Sequence, residues 1–331
     1  MLSRVADSLY WMSRYLERAE HTTRLLDVNL NLMLDESAAS AERRWQRVRQ
    51  AVGNPQGAEW LGDPYELVRK LTFDLESRSS IVSLLVMARE NSRHVREQIS
   101  TEQWHRLNSL YLQVTRPEIQ RHQDDRGLAM DAERPTEFLQ QVLEAVHQFQ
   151  GVSDSTMSHG EGWQFIQVGR FIERASATAA LLIAYNDDLW DDSQGETQEG
   201  NAYLEWMGLL RSATAFEAYC KVYTADLTPE RILEFLLLDV EFPHSLRFSI
   251  DALQAALHAI HRASGGVRTE ALSRLAGRLQ ASLAYSSIED IIARGVVPYL
   301  REIQQQCAEI HETIYRLYVD FSIQSALTGA N

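Results

Sequence analysis

Two short runs of ionisable residues are the part of this chain best suited to chemistry. The first reads Arg14-Tyr15-Leu16-Glu17-Arg18-Ala19, and 156 residues later Arg170-Phe171-Ile172-Glu173-Arg174-Ala175 repeats its pattern. An arginine fork can grip a carboxylate or phosphate at two points. A glutamate between such forks can pair with them, or serve as a proton acceptor if its surroundings tune it. Two uses of the runs follow. They can form a buried Arg–Glu network that fixes how two parts of the molecule fit together. Alternatively they can line a pocket for an anionic group, with Glu17 as the candidate catalytic base and Arg14 and Arg18 as clamps. His21 has Ala177 at the matching position. If one run keeps a ligand site, that difference points to the first.

The elements carrying these residues are long helices. Apolar residues recur from Val5 through Leu9, Met12, Leu16, Ala19, Leu26, Leu30 and Met33, the stripe of one helix. Arg14, Glu17, Arg18 and His21 fall on the opposite side at 100° per residue, together with Tyr10, Trp11, Leu25, Val28 and Leu32. The second run has Ile166, Ala177, Leu181 and Ala184 in the same company. A helix that is apolar on both sides belongs in an interior, and charges buried there must be paired.

The ungapped match extends from Leu9–Val28 to Phe165–Ala184 and keeps charges as well as apolar residues: Thr22, Leu25 and Leu26 recur as Thr178, Leu181 and Leu182. A second match lays Ile81–Ser100 over Ile232–Asp251. Together they predict an internal duplication, with one helical domain over residues 1–331 made of halves 1–157 and 158–331. Glu90, Arg93 and Arg96 in one half, and Glu241, Ser245 and Arg247 in the other, are the expected second-helix partners of the two runs.

The remaining chain is also helical in pattern. Breaks are expected at Gly53–Pro64, Ser77–Ser80 and Thr115–Pro117, and the longest polar linker at Gln123–Pro135. Helices are expected over Thr136–Phe149, Glu161–Asp188, Asn201–Tyr223, Pro229–Leu238, His244–Ala263, Thr269–Tyr285 and Pro298–Ser325. A joint at Gly151–Gly162 and an acidic loop at Asp187–Gly200 separate some of them. Thr228-Pro229 suits a helix cap followed by proline in the first turn. Few runs alternate, so the fold class is all-α, a multi-helix bundle.

Composition narrows the function. A net charge of −14 over 331 residues argues against non-specific nucleic-acid binding. Nearly all cations are arginine; the lysines are Lys70 and Lys221. Cys220 and Cys307 have no metal-type spacing and suit a reducing compartment. The chain enters an amphipathic helix at once and holds no apolar run of membrane-span length, so a cytoplasmic protein without a membrane anchor is expected. Glu102/His105 and Glu144/His147 have the spacing of di-iron bundle ligands, but both lie beside apolar stripes and no metal is expected. No phosphate loop, nucleophile elbow or zinc pattern is present.

Several stretches, taken in order, carry a resemblance. They are the two Glu-Arg runs, Phe235-Leu236-Leu237-Leu238-Asp239, Phe242-Pro243-His244-Ser245-Leu246-Arg247, Arg89-Glu90-Asn91-Ser92-Arg93, Gly162-Trp163 and Phe216-Glu217-Ala218-Tyr219. Over nearly the whole length they resemble the bacterial Alpha-E domain family. The resemblance implies an all-α fold and a setting beside, or fused to, a circularly permuted ATP-grasp ligase, often with a transglutaminase-like peptidase. The expected function is an accessory subunit of an ATP-dependent amide- or peptide-bond-forming ligase. Its Arg/Glu clusters would hold the ligase, or an anionic small molecule or peptide. ATP and Mg would sit on the partner ligase, and this chain would carry no cofactor. Two alternatives stay open. One is a stand-alone enzyme acting at Arg14/Glu17/Arg18 on an amide- or carboxylate-bearing small molecule. The other is a structural helical protein that forms homo-oligomers.

Overall fold

A computed structural model of the chain describes residues 3–35, 38–115, 133–192, 199–224, 226–263 and 270–320. Those residues form helices α1 (Ser3–Asn31), α2 (Ala38–Ala51), α3 (Pro64–Phe73), α4 (Ile81–His94), α5 (Thr101–Val114), α6 (Glu133–Thr156) and α7 (Glu161–Asp192). They continue with α8 (Glu199–Ser212), α9 (Phe216–Tyr223), α10 (Pro229–Leu238), α11 (Leu246–Ala263), α12 (Glu270–Ala284), α13 (Ile288–Arg294) and α14 (Val296–Tyr315). No strand occurs among the described residues. Local chemistry sets many of the starts. Asp63 accepts from Tyr65 N ahead of Pro64 in the first turn of α3, Ser80 caps α4, and Ser100 with Gln103 forms a capping box on α5.

The axis of the molecule is the pair α1 and α7. Around α1 the helices α4, α5 and α6 close a four-helix ring, each packed on the next and α6 returning to α1. Around α7 the helices α11, α12 and α14 close a second ring in the same manner. Two shorter helices cross over: α2, which follows α1, packs on α7, while α8, which follows α7, packs on α1. The axis helices are therefore surrounded, which is why each is apolar on more than one side. They touch closely at one crossing. Ser13 Oγ donates to Ile166 O at 2.7 Å, and a Cβ placed on Gly169 would lie 2.4 Å from Tyr10 O. Glycine at 169 is required by that approach rather than by its backbone angles.

Several expected boundaries move. The helix expected over Thr136–Phe149 runs on through Gly151 to Thr156, so the joint shrinks to the few residues before Glu161. Asp187–Asp192 continue α7 instead of starting a loop; residues 193–198 lie outside the described set. The single helix expected over Asn201–Tyr223 breaks between α8 and α9, where Thr214 takes φ 55°. The last helix starts at Val296 and ends in a π turn over Arg316–Asp320, and residues 321–325 lie outside the described set, as do 123–132 of the expected linker and Thr269. Thr228 and Pro229 do start α10, although the Thr228 side chain makes no capping bond.

The pairing of Ile81–Ser100 with Ile232–Asp251 does not fit the helices. Ile81 is the first residue of α4, whereas Ile232 sits inside α10, which ends at Leu238.

Candidate functional site

Glu17 and Glu173 lie on the facing sides of α1 and α7, in the middle of the apolar axis, and are 4% and 5% exposed. Their partners are crossed. Glu173 on α7 accepts from Nε of Arg14 at 2.7 Å and Nε of Arg18 at 2.6 Å, both on α1. Glu17 on α1 accepts from Arg174 on α7 through Nε at 2.5 Å and Nη2 at 3.1 Å, and Arg170 approaches to 3.7 Å. Each carboxylate is thus held by the arginines of the other helix. Arg174 also donates to Pro243 O at 3.1 Å, tying the network to the turn before α11.

The two carboxylates differ electrostatically. Burial works to raise the Glu173 carboxyl, but Arg14 and Arg18 outweigh it and hold the group down to about 2. For Glu17 burial prevails over Arg174, and the neighbouring Glu20 adds to the upward push. Glu20 itself is held low despite its burial, first by the hydrogen bond from His147 and then by Arg174. His147 Nε2 lies 3.0 Å from Glu20 Oε1, and Gln150 Nε2 donates to Glu20 Oε2 at 3.0 Å, so α6 supplies the third wall of the cluster.

Around Arg14 the surroundings are aromatic. Its guanidinium lies 4.8 Å above the Trp11 ring, and Nη1 donates to the Tyr10 hydroxyl, which in turn meets His311 Nδ1 at 2.8 Å. Burial pushes Tyr10 up to about 12, and burial with Arg14 pushes His311 down to about 4.

The difference between His21 and Ala177 does not set one run's surroundings apart from the other's. His21 and Ala177 line one and the same cavity of about 20 Å³, with Glu17, Glu20, Arg174 and His244. That space suits about one water molecule. His21 Nε2 is buried there without a hydrogen-bond partner among the described residues, and burial pushes the ring down to about 4.

The second-helix partners do not join the cluster. Glu90 bonds Arg89 and Arg93 at the surface, and the exposed Arg96 lies over the Trp104 ring at 5.2 Å. Arg247 pairs with Asp251 along its own helix, and Glu241 is exposed in the turn before α11. The turn before α11 contributes backbone instead: Pro243 O accepts from Arg174 and His244 O from Thr178. Of the Glu-x-x-His pairs, His147 turns to Glu20, and no group of three or more metal-ligating side chains occurs among the described residues.

One cluster was not anticipated. Glu205 on α8 accepts from Arg44 at 2.8 Å and Arg47 at 2.6 Å on α2, all three buried. It joins the two crossover helices as the Glu-Arg runs join the axis helices. The available signal was the i, i+3 spacing of Arg44 and Arg47 beside Trp45, Val48 and Ala51.

The geometry is that of a closed charge network. It can orient helices and hold protons on buried groups; Arg174 grips Glu17 at two points, Arg14 and Arg18 each reach Glu173 through Nε, and the adjoining cavity is about the size of one water molecule.

A family model described as "a predicted alpha-helical domain with a conserved ER motif", Alpha-E, matches residues 1–319. The chain is also similar to an uncharacterized protein of Mycobacterium bovis and to uncharacterized proteins of two strains of Mycobacterium tuberculosis, each 24% identical over 94% of this chain. The chain spans 35% of the length of those relatives. No solved structure matches.

Proposed function

The chain belongs to the Alpha-E family, and from that premise we propose that it is a non-catalytic accessory subunit of an ATP-grasp carboxylate–amine ligase. The observation carrying this reading is the crossed network. Both motif carboxylates are committed to arginines of the opposite helix, and the adjoining cavity of about 20 Å³ has room for little more than water. On this reading the Glu-Arg motif locks the two rings into one rigid body, and partner contacts fall to the outer surface. The length of the mycobacterial relatives supports it, since there the matched unit accompanies a longer stretch of other sequence. ATP and Mg then belong to the ligase. An anionic peptide or a transglutaminase-like protein is a further partner of the same cytoplasmic assembly. The commitment of Glu17 to Arg174 through both carboxylate oxygens speaks against a stand-alone enzyme at Arg14, Glu17 and Arg18.

An internal duplication with halves 1–157 and 158–331 is part of this reading. Its support is the matching pair of rings, the reciprocal motif contacts, and caps that recur 165 residues apart. Asp74 Oδ1 accepts from Glu76 N and Asp239 Oδ1 from Glu241 N, each at 2.9 Å. Ser80 and Ser245 then accept from the backbone N of Ser83 and Phe248 at the starts of α4 and α11. One rotation should carry α1 onto α7 and α4 onto α11; two unrelated rotations would end the duplication reading.

The functional test is co-expression with the ATP-grasp ligase that this reading expects to be encoded near the gene. Co-purification and a change in ATP turnover on adding this chain are expected. Independent elution with unaltered turnover would refute the accessory role.

A further inference from the structure

At one end of the second ring, α12 and the last turn of α14 part to leave a groove of about 870 Å³. Leu275, Ala281 and Leu317 give it an apolar floor. Among the described residues its charged lining consists of Arg274 and Arg278 on one wall and Arg316 on the other, with no carboxylate. This is unusual on a chain of net charge −14. Arg274 does approach Glu270 at 3.5 Å, but both side chains are largely exposed, and such a pair is weak enough to be exchanged. Arg278 stands one turn beyond Arg274 on the same helix, so one wall offers two cations in a row. The opposite wall ends in the π turn Arg316–Asp320 that closes α14. Gly277 faces the groove in the middle of α12, and a Cβ built on it meets nothing within 4 Å. A glycine there costs α12 stability without relieving a clash. It does leave room for another backbone to come close.

We infer that this groove docks an amphipathic helix of a partner protein, with the apolar stripe on the floor and flanking carboxylates on the arginines of both walls. The charge pattern selects this occupant. Cations on both sides of an apolar floor match a helix whose apolar stripe is bordered on both sides by Glu or Asp. The inference stands independently of which enzyme the chain serves.

The test uses a fluorescein-labelled helical peptide with Leu at i, i+3, i+4 and i+7 and Glu elsewhere, followed by anisotropy with the full chain. Saturable binding that weakens with salt is expected, as is loss of roughly tenfold or more in affinity for Gly277→Leu and for Arg278→Glu. Gly277→Leu fills the groove while raising helix propensity, so a melting temperature at or above wild type is expected beside the lost binding. No binding, binding unchanged by both substitutions, or equal binding of a peptide with Lys in place of Glu would overturn the inference. Two further results would assign the groove elsewhere and overturn it as well. One is self-association of the chain that Gly277→Leu abolishes. The other is much tighter peptide binding by a chain ending at Asp320, which would mean residues 321–331 occupy the groove.

Discussion

Replacing Glu173 by Gln removes a charge while keeping size and one acceptor oxygen, and so isolates the ionic part of the crossed network. Glu173 is 5% exposed and accepts from two guanidinium Nε groups, which hold its carboxyl at about 2 against an ordinary 4.5. At about 1.4 kcal/mol per pH unit, the ionised carboxylate favours the folded state by roughly 3 kcal/mol at neutral pH. The Arg18 side chain is 37% exposed, so part of its share is screened and the loss in Glu173→Gln should be nearer 2–3 kcal/mol. The sign with pH is fixed. A carboxyl lowered on folding contributes fully above about 4.5, and the contribution fades as pH falls toward 2. Glu17 runs the other way with pH: its carboxyl is raised on folding, so the gap between Glu17→Gln and wild type should not narrow as pH falls, even though the substitution strands the buried Arg174. Urea midpoints by far-ultraviolet circular dichroism, from about pH 7 down to about pH 3, give both comparisons. The reasoning is refuted if the gap between Glu173→Gln and wild type stays constant with pH, or if the gap for Glu17→Gln closes alongside it.

Three more outcomes are expected. His21 is kept neutral by burial, at about 4 against 6.5, so stability should fall as pH drops from about 6.5 toward 4; His21→Gln should lose less over that interval, and equal slopes would contradict this. Glu205→Ala takes away the carboxylate holding buried Arg44 and Arg47 and should cost about 3–5 kcal/mol, seen as a lower melting temperature and faster proteolysis in α2. Gly169→Ala forces a methyl against Tyr10 O at the axis crossing and should cost about 1–3 kcal/mol or more; a wild-type melt would show that the helices do not approach as described.

The all-α class and the central place of the two Glu-Arg helices were legible because charges recur there among apolar residues on both helix sides. The crossed pairing was legible only as a need for partners. Sequence says that Glu17 and Glu173 must be neutralised, and not that each would take the other helix's arginines. The second match failed for a physical reason. An apolar stripe shifted by fourteen residues, close to four turns, stays in phase, so helix faces fix register poorly. The polar caps Asp74, Ser80, Asp239 and Ser245 carry position better, and they support a spacing of 165. The break at Thr214 has neither Gly nor Pro to signal it. Arg44, Arg47 and Glu205 escaped notice because charges on a short amphipathic helix read as a solvated face until α2 is seen to lie on α7.

The central claim is that the Glu-Arg motif is a structural lock in a partner subunit and not a catalytic centre. The most direct measurement is ATP turnover by the ATP-grasp ligase with wild-type chain and with Glu17→Gln, at a temperature where both are folded and both co-elute with the ligase. The account predicts that each changes turnover to the same extent. Loss of that effect with Glu17→Gln while the complex stays intact would contradict it, and would restore Glu17 as a chemical participant.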